Sequence, residues 1–173
     1  MTNESNDYDL ARLRVAASPL FLRDEEVERG VGLLSLGQSH LFRAIDPMLR
    51  DAGVGRAHFR FLGHVVRWPG LSMGDMITLS GTSKQALSRV ARDLASRELI
   101  AVTAGMRDKR RRELSATAAG LALERELACA LKAAMGNAYA GAGQDAVTGY
   151  WRVLEGLIPV AVHAHIAELT RRK

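Results

Sequence analysis

The chain has 173 residues, 47% of them apolar, with 24 Lys and Arg against 19 Asp and Glu, a net charge of +5 and one cysteine. That length suits one substantial domain or a small domain with extensions. No run of about 18 apolar residues is present to cross a bilayer, and the single Cys129 excludes an internal disulfide and fits a reducing cytoplasm.

In chain order, residues 1–23 read as a polar extension with balanced charge. The opening MTNESNDYDLARLR lacks the basic-then-apolar order of a secretory leader, and about the first 17 residues look too polar to fold. From Asp24 to Arg50 the positions Val27, Val31, Leu34, Leu41, Ile45 and Met48 follow a 4,3-type spacing that Gln38 completes. This predicts a helix with a narrow apolar seam, suited either to pairing with another chain or to packing on its own domain. Asp24, Glu25, Glu26 and Glu28 favour its N-terminal dipole, and Pro47 should kink it or restart its last turn. A second helix is expected over Arg56–Trp68, with Phe59, Leu62 and Val66 inward, ended by Pro69-Gly70.

Ser72 then reads as the N-cap of a short helix ending near Leu79. Gly81 makes a turn, and Ser83 caps a longer helix to about Ser96. On that helix Leu87, Val90, Ala91 and Leu94 share one face, while Lys84, Gln85, Ser88, Arg89 and Arg92 project from the other. Two helices joined this tightly form a helix-turn-helix pattern. Leu99–Thr103 and Arg112–Ala116 are expected strands of a hairpin, with a cationic tip holding Arg107, Asp108, Lys109, Arg110 and Arg111. Thr117 should cap a helix to about Tyr139. After a Gly-rich break, a last helix is expected from Asp145 to near Arg171, bent at Pro159, with Tyr150, Leu154, Leu157, Ala161 and Ile166 packing.

Charge follows the same division. Twelve cations face five carboxylates between residues 56 and 117, whereas residues 24–55 carry six carboxylates and three cations. A basic segment with neutral or acidic flanks is the footprint of a phosphate-binding module.

A helix-turn-helix followed at once by a basic hairpin is a winged helix, and here the residues become specific. The stretch PGLSMGDMITLSGTSKQALSRVARDLASRELIAV, continued by RDKRRRELSATAAG, resembles the MarR family of bacterial transcription regulators. Family-type positions are Pro69, Gly70, Leu71, Ser83, Lys84, Gln85, Leu87, Ser88, Arg89, Leu94, Leu99, Ile100, Asp108, Arg110, Thr117 and Gly120. Ala116 departs, standing where the family usually carries a bulkier apolar residue. The resemblance implies a mainly α fold: a winged helix-turn-helix domain over residues 56–117, an N-terminal dimerisation helix at 24–55 and C-terminal dimerisation helices at 118–173.

By that resemblance the helix from Ser83 enters the major groove, N-terminal end first. Ser83, Lys84, Gln85, Ser88 and Arg89 then become candidate DNA contacts. Gln suits adenine and Arg suits guanine, while Lys84 or Ser88 could instead hold phosphate and set register. The D-x-R motif assigns Arg110 to the minor groove and Asp108 to orienting it, with Arg107, Lys109, Arg111 and Arg112 on flanking phosphates. The resemblance further implies a homodimer on a pseudo-palindromic duplex, acting as a repressor, and a small aromatic or acidic effector. Candidate effector residues are His40, Arg43, His58, His64 and Trp68.

Cys129, among Leu127, Ala128, Ala130 and Leu131, is expected to be a buried inert thiol rather than a redox sensor. His163 and His165 stand about 200° apart round a helix, so no metal site is expected from them, and no cofactor is. Metalloprotease, phosphate-loop, nucleophile-elbow and paired CxxC motifs are missing, which argues against an enzyme. The alternative reading is a basic protein whose hairpin binds RNA or an anionic surface.

Overall fold

The computed structural model describes residues 23–105 and 112–171. The chain divides into two compact units, residues 1–41 and 42–173. The first unit is represented by helix α1 (Asp24–Arg43), whose first turn holds Asp24, Glu25 and Glu26 and which has no buried residue. Val27, Val31 and Leu34 of the expected seam are exposed, and so are Leu33 and Leu36. Of the kink or restart expected at Pro47, the structure has the restart. The chain turns after Arg43 and restarts as α2 (Asp46–Asp51), with Pro47 in the first turn. The cause is that Pro47 has no N–H for a bond back into α1, yet its fixed φ suits a helix start.

Beyond α2, Gly53 turns the chain with φ +63 and Gly55 precedes α3 (Arg56–Arg67). The ring of His58 accepts the Gly55 N–H through Nδ1 at 3.0 Å, satisfying one of the amides that a helix start leaves open. Phe61, Leu62 and Val65 are the buried face of α3, while the expected Phe59 and Val66 are only half-buried. Phe59 instead packs toward the cluster of Ile45, Leu49 and Leu127, and Val66 sits at the margin of the main core. Arg56 holds Asp46 with Nε and Nη2 at 2.8 and 2.6 Å, pinning the start of α3 to the start of α2.

A two-residue strand β1 (Leu71–Ser72) follows, which no alternation could announce, and then α4 (Met73–Ser80). Ser72 caps α4, and Gly81 ends it in the left-handed region at φ +61. α5 (Lys84–Ser96) is capped by Ser83, whose hydroxyl accepts the Ala86 N–H at 3.4 Å. β2 (Ile100–Ala104) and β3 (Arg112–Ala116) pair antiparallel, with Val102 opposite Leu114. β1 joins β3 on its other side, giving the order β1-β3-β2. The expected hairpin is therefore the larger part of a three-stranded sheet.

α6 (Ala118–Ala142) starts at Thr117, whose Oγ1 donates to the Glu98 carbonyl at 2.6 Å and accepts the Gly120 N–H at 3.0 Å. A Cβ on Gly120 would collide with the Leu99 carbonyl oxygen. This helix therefore begins pressed against the chain that enters β2, which only glycine permits. The bend expected at Pro159 is a full break, dividing the last helix into α7 (Gln144–Gly156) and α8 (Val160–Arg171), which meet at 101°. Pro159 sits at the break, where it ends one helix and can open the next. No single described helix is long and apolar enough to cross a membrane.

One core gathers Phe61, Leu62, Val65, Trp68, Leu71, Met76, Leu87, Leu94, Ile100, Leu114 and, from α8, Leu169. A second, of Ile45, Leu49 and Leu127 with Phe42 and Phe59 against it, seats α6 on α2 and α3. Of the packing positions expected on the last helix, Leu154 and Ile166 are half-buried, while Tyr150, Leu157 and Ala161 are exposed.

Candidate nucleic-acid interface

The geometry of α5 follows from its sequence. Leu87, Ala91 and Leu94 recur at helical spacing, so burying them turns Lys84, Gln85, Ser88, Arg89 and Arg92 outward. Lys84, Gln85, Arg89 and Arg92 are exposed, and Ser88 is half-buried. Arg92 Nε donates to the Ser88 carbonyl at 3.4 Å, holding that side chain along the helix. No carboxylate stands among these outward residues. The nearest along the helix, Asp93, lies on the flank, its Oδ2 3.5 Å from His58 Nε2 on α3. The Ser83 hydroxyl satisfies one first-turn amide, and the positive end of the helix dipole faces outward with the cations.

β2 and β3 run from the core to the tip of the hairpin, and Arg112, opposite Ala104, is exposed at the first pair below that tip. Arg107, Asp108, Lys109, Arg110 and Arg111, with the Asp108–Arg110 pairing expected of them, lie outside the described residues.

The effector candidates do not converge. His40 and Arg43 are exposed on α1. His58 is occupied by the α3 cap and by Asp93. Trp68 is buried in the core, with the Arg67 guanidinium 5.3 Å from its ring centroid and His64 stacked at 5.9 Å. His64 alone of the five edges a cavity of about 390 Å³ between α3, α4 and α5, beside Arg60, Phe61, Met76 and Leu79. Burial first, then the Arg67 and Arg60 charges, hold its pKa below the ordinary 6.5. The cavity thus has one cation, Arg60, and the His64 imidazole at one edge, the hydroxyls of Ser80 and Thr82 at another, and apolar surface behind.

Cys129 corrects an expectation, being exposed. It follows the fully buried Leu127 by two residues, about 200° round α6, so the apolar neighbours in sequence are not neighbours on its face. His163 Nε2 lies 3.2 Å from the Glu155 carbonyl, whereas His165 Nε2 lies 3.1 Å from Asp75 Oδ1. Among the described residues no group of three or more His, Cys, Asp or Glu could hold a metal ion. In the sequence His165 drew notice only as a possible metal ligand beside His163, and Asp75 drew none. The Ser72-x-x-Asp75 spacing is a capping-box signal and could have singled out Asp75.

Fold and surface together define a winged helix-turn-helix DNA-binding protein. The chain belongs to the MarR family of transcription regulators. A family model described as MarR family matches residues 52–111. The HTH-type transcriptional regulator PetP of Rhodobacter capsulatus is 38% identical over 146 residues, 84% of this chain and 88% of that one. Among solved structures, a MarR variant from E. coli complexed with operator DNA has the same fold at TM-score 0.64 and 17% identity, over 82% of this chain and 100% of that one. NadR in complex with 4-hydroxyphenylacetate matches at TM-score 0.65 and 18% identity, over 75% and 92%.

Proposed function

We propose that this regulator is a homodimeric repressor that reads a pseudo-palindromic operator, with α5 in the major groove and the hairpin tip in the adjoining minor groove. The observation that carries the reading is the outward face of α5, cationic and amide-bearing without a carboxylate, and the segment joining β2 to β3 is basic in sequence. Gln85 and Arg89 are the base readers, and Ser83, Lys84 and Ser88 set register on phosphate or base. Arg110 enters the minor groove, Asp108 orients it, and Arg107, Lys109 and Arg111 contribute salt-sensitive affinity.

The division of labour is residues 56–117 for DNA and residues 24–55 with 118–173 for pairing. Exposed apolar side chains support the pairing: Val31, Leu33 and Leu36 on α1, and Trp151, Val153, Leu157 and Val160 on or beside α7 and α8. Exposed apolar residues this numerous mark a surface that a partner covers. A small aromatic or acidic effector fits the same reading, since NadR is found with 4-hydroxyphenylacetate and the cavity beside His64 combines apolar walls with the one cation Arg60. Such a ligand lowers DNA affinity by preferring the free state. The location of the protein is taken to be the cytoplasm, where its DNA is.

Selection of bound sequences from random duplex tests the reading. The expected product is a two-fold-related site with half-sites about one helical turn apart. Equal binding to selected duplex, scrambled duplex and RNA would instead support the basic-surface alternative. Sedimentation should find a dimer at micromolar concentration, and a stable monomer there sinks the proposed pairing.

A further inference from the structure

The last helix of the chain is fastened to the first helix of the helix-turn-helix. α8 packs on α4 and sends Leu169 into the core, with Ile166 half-buried against it. A polar contact lies in this apolar seam: His165 Nε2 is 3.1 Å from Asp75 Oδ1, with side chains 17% and 8% exposed. The other oxygen of Asp75, Oδ2, accepts the Ser72 N–H at 2.8 Å and the Ser72 hydroxyl at 2.6 Å. In return the Ser72 hydroxyl accepts the Asp75 N–H at 3.2 Å. Ser72 belongs to β1, opposite Glu113 on β3. A single carboxylate thus joins the sheet of the wing, the start of α4 and the last helix.

Capping does not require this arrangement. A capping-box carboxylate works at a wet helix end, and burying one costs free energy that partners must offset. α8 covers Asp75 and supplies His165 to it. Apolar contacts such as those of Ile166 and Leu169 tolerate sliding and rotation, whereas two polar groups buried 3.1 Å apart stay within reach of each other over only a narrow range of helix positions. The pair therefore selects one angle of α4 beneath α8. α5 inherits that angle, because only Gly81 to Ser83 separate the two helices and Met76 and Leu87 share one core.

We propose that His165 is a positioning residue for DNA reading: through Asp75 it sets the angle at which α4 and α5 meet the wing, and so the fit of α5 in the groove. The inference rests on the DNA-reading role proposed above. It places the pairing helices, by way of α8, in mechanical contact with the reading helix.

The test uses the full chain and a duplex selected by the wild type, beside a scrambled duplex of the same length. His165→Leu keeps the apolar packing and removes the polar contact, and His165→Gln keeps a nitrogen donor at similar reach. Circular-dichroism melts set a temperature at which each variant is folded. His165→Leu is expected to bind the selected duplex about tenfold more weakly and the scrambled duplex within about twofold, because phosphate contacts need less exact placement than base contacts. His165→Gln should return to within about threefold of the wild type on the selected duplex. Amide exchange at Met76 and Ile77 should quicken in His165→Leu and not in His165→Gln. Unchanged affinity of His165→Leu for the selected duplex, or an equal loss on both duplexes, overturns the inference while leaving the DNA-reading role intact. A wild type that selects no duplex overturns that role, and this inference with it.

Discussion

Two surfaces of this molecule are equally open to solvent and chemically opposite. The outward face of α5 carries Lys84, Gln85, Arg89 and Arg92 and no carboxylate. Around the α7–α8 junction the large apolar side chains Trp151, Val153, Leu157, Ile158 and Val160 are exposed among charged ones such as Arg152 and Glu155, Val160 reaching 84%. Water solvates the first surface well, and its cost is mutual repulsion, which a polyanion relieves. For the second the cost is apolar hydration, which another apolar surface relieves at roughly 25 cal/mol per Å². The contrast teaches that exposure alone does not say what a surface awaits. Its chemistry does: a cationic surface suits a polyanion, the DNA of the proposed function, and an apolar one suits another apolar surface, the second copy proposed there.

Breaking the apolar surface should have the largest consequence. Replacing both Leu157 and Val160 with Asp puts two charges into the proposed pairing face. Sedimentation should then report monomer, and affinity for the two-fold operator should fall by about 100-fold or more, because the second half-site no longer binds intramolecularly. A variant that remains a dimer would separate this surface from pairing. Next comes the wing: Arg110→Ala should weaken operator binding severely, by roughly 2 kcal/mol or more as for a buried charged contact, and equal affinity in titrations would remove Arg110 from the minor groove.

On α5 itself, Arg89→Ala should cost about 1–3 kcal/mol on the selected site and relax preference at one base pair. Lys84→Ala, if Lys84 holds phosphate, should weaken all duplexes alike and lower the salt slope by about one ion. Loss of sequence preference in Lys84→Ala would reverse those two assignments. The smallest effect is expected from pH. His64 has a folded pKa below its ordinary 6.5, through burial and then through Arg67 and Arg60. The unfolded chain therefore binds the proton more readily, and stability is lost as pH falls from 6.5 toward the folded value. Thermal melts should show this decline in the wild type and a shallower one in His64→Gln. An unchanged slope would remove His64 as the source of the pH dependence.

Much of the fold could be read from local chemistry. Ser72, Ser83 and Thr117 each cap the helix that their position announced, and each does so with its hydroxyl. The wet and dry sides of α5 followed from spacing alone, because a helix has a fixed period and Leu87, Ala91 and Leu94 occupy one phase of it. Proline gave breaks whose positions were legible but whose extent was not. Pro47 separates two helices, and Pro159 marks a turn of 101°. A missing N–H stops a helix locally, and only the packing of the next helix decides the new direction.

What the sequence by itself determined is therefore local: which segments coil, where they start, and which charges α5 presents. Tertiary structure alone decided the relations across long separations in the chain. Leu71 and Ser72 are a strand only because β3 lies alongside, and Gly120 is required only because the Leu99 carbonyl presses on it. The exposure of Cys129, the cavity at His64 and the meeting of His165 with Asp75 belong to the same group. Caps and periodicities act within a few residues, whereas these contacts join positions that only folding brings together.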